Sequence, residues 1–241
     1  MRVKAIIAYD GSIFYGFQKQ RTTPHTITHA IEKILKTLQI NTTIIGSGRT
    51  DRGVHATGQV IHFDLPDFWE DLEKLRHLLN RKLKGIFFRK ITIEKDHFHA
   101  RFDAKKRLYR YLFKTSQPNV FERNYIAYYK KHFDICLLNS ALKYFIGEHD
   151  FCYFHKTGSK VHTTRRILYQ AGCYCYQGFY VIYFEANGFL RSQVRMMVDA
   201  AMMCAYGTLS LDALQAQINT TNRITTTLAP PQGLYLAKIK Y

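Results

Sequence analysis

The sequence has little of what marks a metal-stapled, secreted or membrane-spanning protein. Its five cysteines form no Cys-x-x-Cys pair, so their spacing resembles neither a zinc ligand set nor a secreted disulfide framework. No apolar run approaches the length needed to cross a bilayer, and the charged amino-terminal stretch lacks the apolar core of a signal peptide. We therefore expect a cytoplasmic protein with reduced thiols, no membrane partner and no metal.

Acidic residues are also scarce. The chain has 18 Asp and Glu against 35 Lys and Arg, which leaves a formal net charge of +17. A surplus of this size predicts a polyanionic partner. Aromatic residues make up 15% of the chain, with 17 Tyr and 17 Phe, and nucleic-acid bases stack on such rings between cations. Nucleic acid is therefore the favoured partner, although many of these rings must form core.

No Pro/Ser-rich linker or low-complexity tract divides the 241 residues, which are enough for one large domain or two ordinary ones. Hydrophobic periodicity predicts the order β-α-β-β-α-β twice in succession. This order indicates an α+β fold of two consecutive ferredoxin-like halves, residues 1–103 and 104–241. The sheets would be antiparallel, with helices on one face, and the opposite faces would join around a central basic cleft.

The predicted elements follow from apolar spacing and turn residues. The first half has strands at 3–9, 42–45, 58–65 and 86–94, and helices carrying apolar residues from Ile27 to Leu38 and from Phe68 to Leu79. The second half has a strand at 107–115, a helix at 135–146, a hairpin of 166–176 and 179–187, helices at 189–206 and 211–218, and a last strand at 234–241.

One glycine-punctuated loop, residues 46–56, carries a single carboxylate flanked by two arginines. Its glycines allow a sharp turn and the close approach of a ligand. Beside Arg49 and Arg52, the Asp51 side chain would stay ionised and aimed, which suits a nucleophile. The same pattern also suits a tight turn whose Asp bonds its own backbone, or a solvated ion pair.

A second stretch interleaves basic and aromatic residues. On the predicted strand that begins at Arg107, Leu108 and Arg110 face one way, and Tyr109 and Tyr111 face the other. Arginines directed at a polyanion and a tyrosine directed at a base fit a nucleic-acid surface. An amphipathic edge strand with solvated arginines fits the pattern equally well.

A third stretch places cations in an apolar helix. Arg191 and Arg195 are spaced i, i+4, which puts both on one helical face. An arginine near such a core needs an anionic partner, because an unpaired buried charge is very costly. For Arg195 the candidates are Asp51, an RNA phosphate and Asp199 on the same helix.

These three stretches belong to a series of short motifs that run along nearly the whole chain in a fixed order. They are Tyr9-Asp10-Gly11, Tyr15–Gln18, Gly48–Ala56 with Gln59-Val60, Phe98–Phe102, Arg107–Tyr111, Gly147–Phe151, Thr164–Ile167, Phe189–Arg191 with Val194-Arg195, and Gly233–Leu236. Together they resemble the tRNA pseudouridine synthase A family. The chain departs from that family at Phe17, where many members have Trp, and at Gln193 and Asp199, where Met and Gly are usual.

The resemblance implies a cofactor-free isomerase that converts uridine to pseudouridine in the anticodon stem-loop of tRNA, working as a homodimer. By likeness, Asp51 is the nucleophile and Tyr109 stacks on the target base. Arg49 helps to hold that base out of the helix, and Arg195 pairs with Asp51. A carboxylate could bond the sugar C1′ or the uracil C6. A non-catalytic RNA-binding module of the same architecture, or a hydrolase that releases uracil, remains an alternative.

Overall fold

The structure is a computed structural model that describes residues 1–158 and 161–241. Its contacts divide into two compact units: a first unit of Met1–Lys105 with Tyr235–Tyr241, and a second unit of Lys106–Leu234. Each unit combines helices with an open sheet, so the predicted α+β class is confirmed. All but the first residue of the last strand belongs to the first unit in this division, whereas the sequence prediction kept that strand within residues 104–241.

Secondary structure follows the predicted pattern along most of the chain. The strands in the described residues are β1 (Arg2–Tyr9), β2 (Ile45–Gly46), β3 (His55–Asp64), β4 (Ile86–Ile93), β5 (Lys106–Lys114), β6 (Ala127–Tyr128), β7 (Gly147–Asp150), β8 (Arg165–Tyr176), β9 (Phe179–Ala186) and β10 (Leu234–Lys240). The α-helices are α1 (Ile27–Thr37), α2 (Leu72–Lys82), α3 (Ile135–Tyr144), α4 (Gln193–Ala205) and α5 (Leu211–Ile218). In the part of the chain that the structure describes, no helix is both long and apolar enough to cross a membrane.

The sheet of the first unit has the strand order β4-β1-β3-β10, with β2 paired to β3. Strand β1 is antiparallel to β3 and β4, and alternate residues along it are buried, as expected when helices cover one face. Tyr9, at the end of β1, lies opposite Ala56, near the start of β3. The segment after β1 and the loop before β3 therefore meet at one end of the sheet.

Helix α2 illustrates how a capping residue sets a boundary. The Asp71 carboxylate accepts a hydrogen bond from the Lys74 amide at 2.8 Å, so the helix begins at Leu72. Phe68 precedes the cap and is exposed, so the prediction that it belongs to this helix is wrong. The residues that α1 and α2 bury completely are Ile27, Ile31, Leu35, Leu75 and Leu79.

The second unit has the strand order β5-β9-β8-β7, and β6 pairs with β5 in parallel. Helix α3 packs on β8 and α4, and its fully buried residues are Leu138, Ala141 and Leu142. The prediction omitted β6 and β7, because two and four residues are too few to show a period.

Helix α4 begins later than its apolar composition suggests. Ser192, its N-cap, has a φ of 59°, and the buried Gln193 side chain accepts a hydrogen bond from the Leu190 amide at 2.8 Å. These features place Arg191 in a turn before the helix. The prediction that Arg191 and Arg195 share one helical face is therefore wrong.

Candidate active site

Residues 47–54 connect β2 to β3, and the first part of this loop is fastened to β3 by one side chain. Gln59 is 0% exposed. Its Nε2 donates to the Gly48 carbonyl at 2.7 Å, and its Oε1 accepts from the Gly48 amide at 3.4 Å. The Ser47 amide donates to the Val60 carbonyl at 2.8 Å. The buried amide thus holds both backbone groups of Gly48 and sets the start of the loop.

Asp51 opens a tight turn in the second part of the loop. The Val54 amide donates to the Asp51 carbonyl at 3.1 Å, which closes the four-residue turn 51–54. Gly53, in the third position, has a φ of 80°, as a type II turn requires of that position. The turn leaves Asp51 half-buried and puts Arg52 at the exposed corner.

The segment after β1 supports this turn from the other side. Gly11 accepts a hydrogen bond from the Gly53 amide at 3.2 Å and donates its own amide to Nδ1 of His55 at 3.0 Å. A Cβ on Gly11 would lie 2.0 Å from the Val54 carbonyl oxygen, so only glycine fits there.

Thr50, directly before Asp51, is held by Tyr9 and Phe17, which lie in the first two of the collinear segments. The Phe17 amide donates to the Thr50 carbonyl at 3.1 Å, and the Tyr9 hydroxyl lies 2.8 Å from Thr50 Oγ1. Phe17 is itself buried, with its ring against Gly46. The position of Asp51 therefore depends on hydrogen bonds to both of its flanks.

His55 is a structural member of the site. It is 2% exposed, and its Nδ1 accepts a hydrogen bond from the Gly11 amide at 3.0 Å. Its ring stacks on Tyr235 of β10 with 4.7 Å between centroids and 20° between planes. The ring ties the Gly11 segment to the sheet.

The four residues predicted for the site belong to two different units. Asp51 and Arg49 lie on the loop of the first unit, where Arg49 is exposed. Tyr109 lies on β5 and Arg195 on α4, both in the second unit.

Tyr109 and its neighbours show the predicted alternation on β5. Tyr109 and Tyr111 are buried, whereas Arg110 between them is exposed. Tyr109 is 7% exposed, and its ring meets the Phe189 ring edge-on at 5.1 Å. A ring packed in this way is already ordered before any base stacks on it.

Arg195 and Asp199 both contact the segment after α5. Arg195 Nε donates to the Ala229 carbonyl at 2.7 Å, and the Ala229 amide donates back to the Arg195 carbonyl at 3.1 Å. The Asp199 carboxylate accepts a hydrogen bond from the Thr227 hydroxyl. Asp199, which stands where Gly was expected, therefore has a hydrogen-bond partner in the same unit.

Sequence reasoning assigned no role to Gln59, Gly11 or Tyr9, which together hold the Asp51 loop. Their only signal was membership of the collinear segments, because a hydrogen bond between distant residues leaves no local pattern. Within residues 1–158 and 161–241, no group of three or more His, Cys, Asp and Glu side chains is arranged to hold a metal ion.

Comparison with known proteins gives consistent matches along the chain. A family model described as tRNA pseudouridine synthase matches residues 5–103 and 141–241. The tRNA pseudouridine synthase A of Helicobacter hepaticus is 42% identical over 244 residues, which cover 99% of this chain and 98% of that protein. The Campylobacter jejuni (strain 81116) protein of the same name is 37% identical, with 100% of both chains covered. The Pseudothermotoga lettingae one is 38% identical and covers 100% of this chain and 99% of its own.

Three of the four predicted site residues, Arg49, Asp51 and Arg195, fall within the ranges that the family model matches. Tyr109 falls between them, in a segment that the full-length relatives do cover.

Proposed function

This chain belongs to the tRNA pseudouridine synthase family, and we propose that it isomerises uridine to pseudouridine in the anticodon stem-loop of tRNA, with Asp51 as the nucleophile. One observation carries the role of Asp51. It is a half-buried carboxylate at the start of a turn whose two flanks are hydrogen-bonded to Gly11, Phe17 and Gln59. A nucleophile must be held in a fixed geometry towards its substrate, and these hydrogen bonds order the loop that carries Asp51.

The reaction needs only a nucleophile and proton transfers. The N1–C1′ bond of uridine breaks, the uracil turns, and a C5–C1′ bond forms, while C5 loses a proton and N1 gains one. A carboxylate can bond to C1′ or to C6 of the uracil and keep the fragments on the enzyme. Atoms and electrons balance within the nucleotide, so the change itself calls for no oxidant or reductant.

The uridine must leave its stack before it can reach a carboxylate on a protein loop. Extruding a base costs a few kcal/mol, which stacking on an aromatic ring and phosphate contacts offset. From the family resemblance we infer that Tyr109 stacks on the target base and Arg49 holds it out of the helix. Arg195 pairs with the Asp51 carboxylate in the same scheme. The surplus of basic residues supports binding of the RNA backbone.

Nucleoside analysis of unmodified tRNA after incubation with the enzyme tests the reaction. Pseudouridine at anticodon stem-loop positions supports it; free uracil would indicate a hydrolase, and unchanged uridine would indicate a non-catalytic RNA-binding module.

Asp51→Asn should bind tRNA normally but release no tritium from tRNA labelled at uracil C5. Asp67→Asn, which removes an exposed carboxylate elsewhere in the first unit, serves as the matched control. Substantial turnover by Asp51→Asn would exclude the nucleophile role.

The finer architecture and assembly are also proposals. The order β1-α1-β2-β3-α2-β4 supports a ferredoxin-like first half. From the predicted element order we propose a second such half and a basic cleft joining the two. From the cysteine spacing and the missing signal-peptide core we propose a cytoplasmic location, and the family resemblance implies a homodimer. Light scattering of the purified protein at several concentrations tests the homodimer, which would double the monomer mass of 28.3 kDa.

A further inference from the structure

Arg52, next to Asp51, has a side chain that stacks on an aromatic ring. Its guanidinium carbon lies 4.2 Å from the centroid of the Tyr15 ring, in a cation–π stack. Among the described residues it makes no hydrogen bond and no ion pair. Other arginines in the same structure do pair with acids, as Arg2 does with Asp64 and Arg76 with Glu73.

Backbone hydrogen bonds position both residues of the cation–π stack. Arg52 occupies the exposed corner of the turn that begins at Asp51, so its direction is set by the same hydrogen bonds that place the carboxylate. The Tyr15 backbone is held at both groups: its amide donates to the His25 carbonyl at 2.8 Å, and its carbonyl accepts from Gln20 Nε2 at 2.6 Å. Gly16 lies against this turn, because a Cβ there would be 3.5 Å from the Arg52 amide nitrogen.

An arginine arranged in this way is prepared to bind an anion. Tyr15, 43% exposed, covers one side of the guanidinium and leaves its N–H donors for a ligand. A guanidinium presents these donors as a planar fork that matches phosphate oxygens in pairs. Because the stack orders the side chain in advance, less conformational entropy is lost on binding.

We propose that Arg52, held on the Tyr15 ring, binds the backbone phosphate adjacent to the nucleotide that reaches Asp51. This inference rests on the proposed function, because it takes RNA to be the molecule that enters the loop. A nucleotide at Asp51 carries a phosphate on each side, and Arg52 is the next residue along the turn. Arg52 is then a substrate-binding residue, and Tyr15 is a positioning residue that acts through it.

Binding of unmodified tRNA over a salt series tests the phosphate contact. Each neutralised phosphate adds about 0.7–0.9 to the slope of log Kd against log salt concentration. We expect Arg52→Gln to lower that slope by about this amount and to weaken binding about fivefold to tenfold at low salt. Arg52→Lys, which keeps the charge, should restore the slope. Arg81→Gln removes an exposed arginine from the last turn of α2 and should change neither quantity.

Tyr15 needs a double-mutant test. Tyr15→Phe keeps the ring and should bind as the wild type does, whereas Tyr15→Leu should weaken binding about threefold, in line with an exposed cation–π pair. In the Arg52→Gln background, Tyr15→Leu should have no further effect. Equal melting temperatures for all variants confirm that the comparison is between folded proteins.

Two results would overturn the proposal. One is an Arg52→Gln variant with the slope and affinity of Arg81→Gln. The other is lost affinity with an unchanged slope, which would mean that a base rather than a phosphate stacks on the guanidinium. Neither measurement involves turnover, so an active Asp51→Asn enzyme would refute the nucleophile role and leave the Arg52 result intact.

Discussion

Gly11 and Val54 lie so close together that a Cβ on Gly11 would be 2.0 Å from the Val54 carbonyl oxygen. The contact joins the segment after β1 to the end of the turn that starts at Asp51. The Gly11 amide also donates to Nδ1 of His55, and its carbonyl accepts from Gly53, so two loop residues and the first residue of β3 all contact this one glycine.

Replacing Gly11 with alanine should displace the turn. We expect Gly11→Ala to destabilise the protein by about 1–3 kcal/mol or more, as overpacking against fixed backbone does, and to abolish turnover at temperatures where it is still folded. Gly178→Ala is the control, because a Cβ at Gly178 would meet nothing within 4 Å. Its only cost is the φ of 82°, which is unfavourable for alanine. That variant should lose about 1 kcal/mol of stability and keep its activity. Equal activity in the two variants would contradict the supporting role of Gly11.

Removing the Gln59 amide should release the start of the loop. Gln59→Leu leaves the half-buried amide and carbonyl of Gly48 without their partner, at a cost of up to about 1–3 kcal/mol for each group. The control is Asn80→Leu, which removes a similar clamp: the Asn80 amide holds the backbone N–H and C=O of Phe88 at 2.7 and 3.0 Å. Both variants should melt at lower temperature, but only Gln59→Leu should lower kcat, by about tenfold or more. A normal kcat in Gln59→Leu would mean that the loop does not need this clamp.

Tyr109 should contribute through its ring rather than its hydroxyl if its role is to stack on the base. Stacking of a base on an aromatic side chain is worth about 1–3 kcal/mol, so Tyr109→Leu should raise KM for tRNA about tenfold or more, while Tyr109→Phe should stay near the wild-type KM. Tyr128→Leu replaces an exposed tyrosine of the short strand β6 and should have little effect. A large loss of kcat in Tyr109→Phe would instead assign the hydroxyl to the chemistry.

The lowered pKa of His62 leads us to expect that the protein is less stable in mild acid. Burial, and then the nearby Arg2 guanidinium, lower the pKa of His62 from 6.5 to about 4, and its Nδ1 accepts the Ala100 amide at 3.0 Å. Between these two pH values the unfolded chain binds a proton at His62 and the folded chain does not, so acid favours unfolding. After allowance for solvent screening, denaturation should show a loss of about 1–2 kcal/mol between pH 6.5 and 4.

The matching variant is His62→Asn, which keeps an acceptor for the Ala100 amide but cannot titrate in this range. Its free energy of unfolding should lack this part of the pH dependence. If both proteins lose stability equally over the interval, the dependence arises from other groups.

The sequence prediction succeeded where a repeated local pattern was long enough. The spacing of apolar residues placed α5 at 211–218, the bounds that the structure has, and placed α1, α3 and the hairpin of β8 and β9 within a few residues. It failed at the starts of α2 and α4. Apolar residues before each helix suggested an earlier start, but the Asp71 cap and the turn at Ser192 make the helices begin only at Leu72 and Gln193. The strand predicted at 42–45 is only Ile45–Gly46, and β3 begins three residues earlier than predicted, at His55.

Three features are readable from composition and neighbouring residues alone. They are a polyanionic partner, the two sets of helices and strands, and the loop in which a lone acid lies between arginines. What holds that acid in place becomes visible only in the folded chain. Gln59, Gly11 and Phe17 reach the loop from β3 and from the segment after β1, and only the strand pairing brings them together. The stack of Arg52 on Tyr15 is of the same kind, because its two residues are far apart in the chain and meet only where the loop folds back against Gly16.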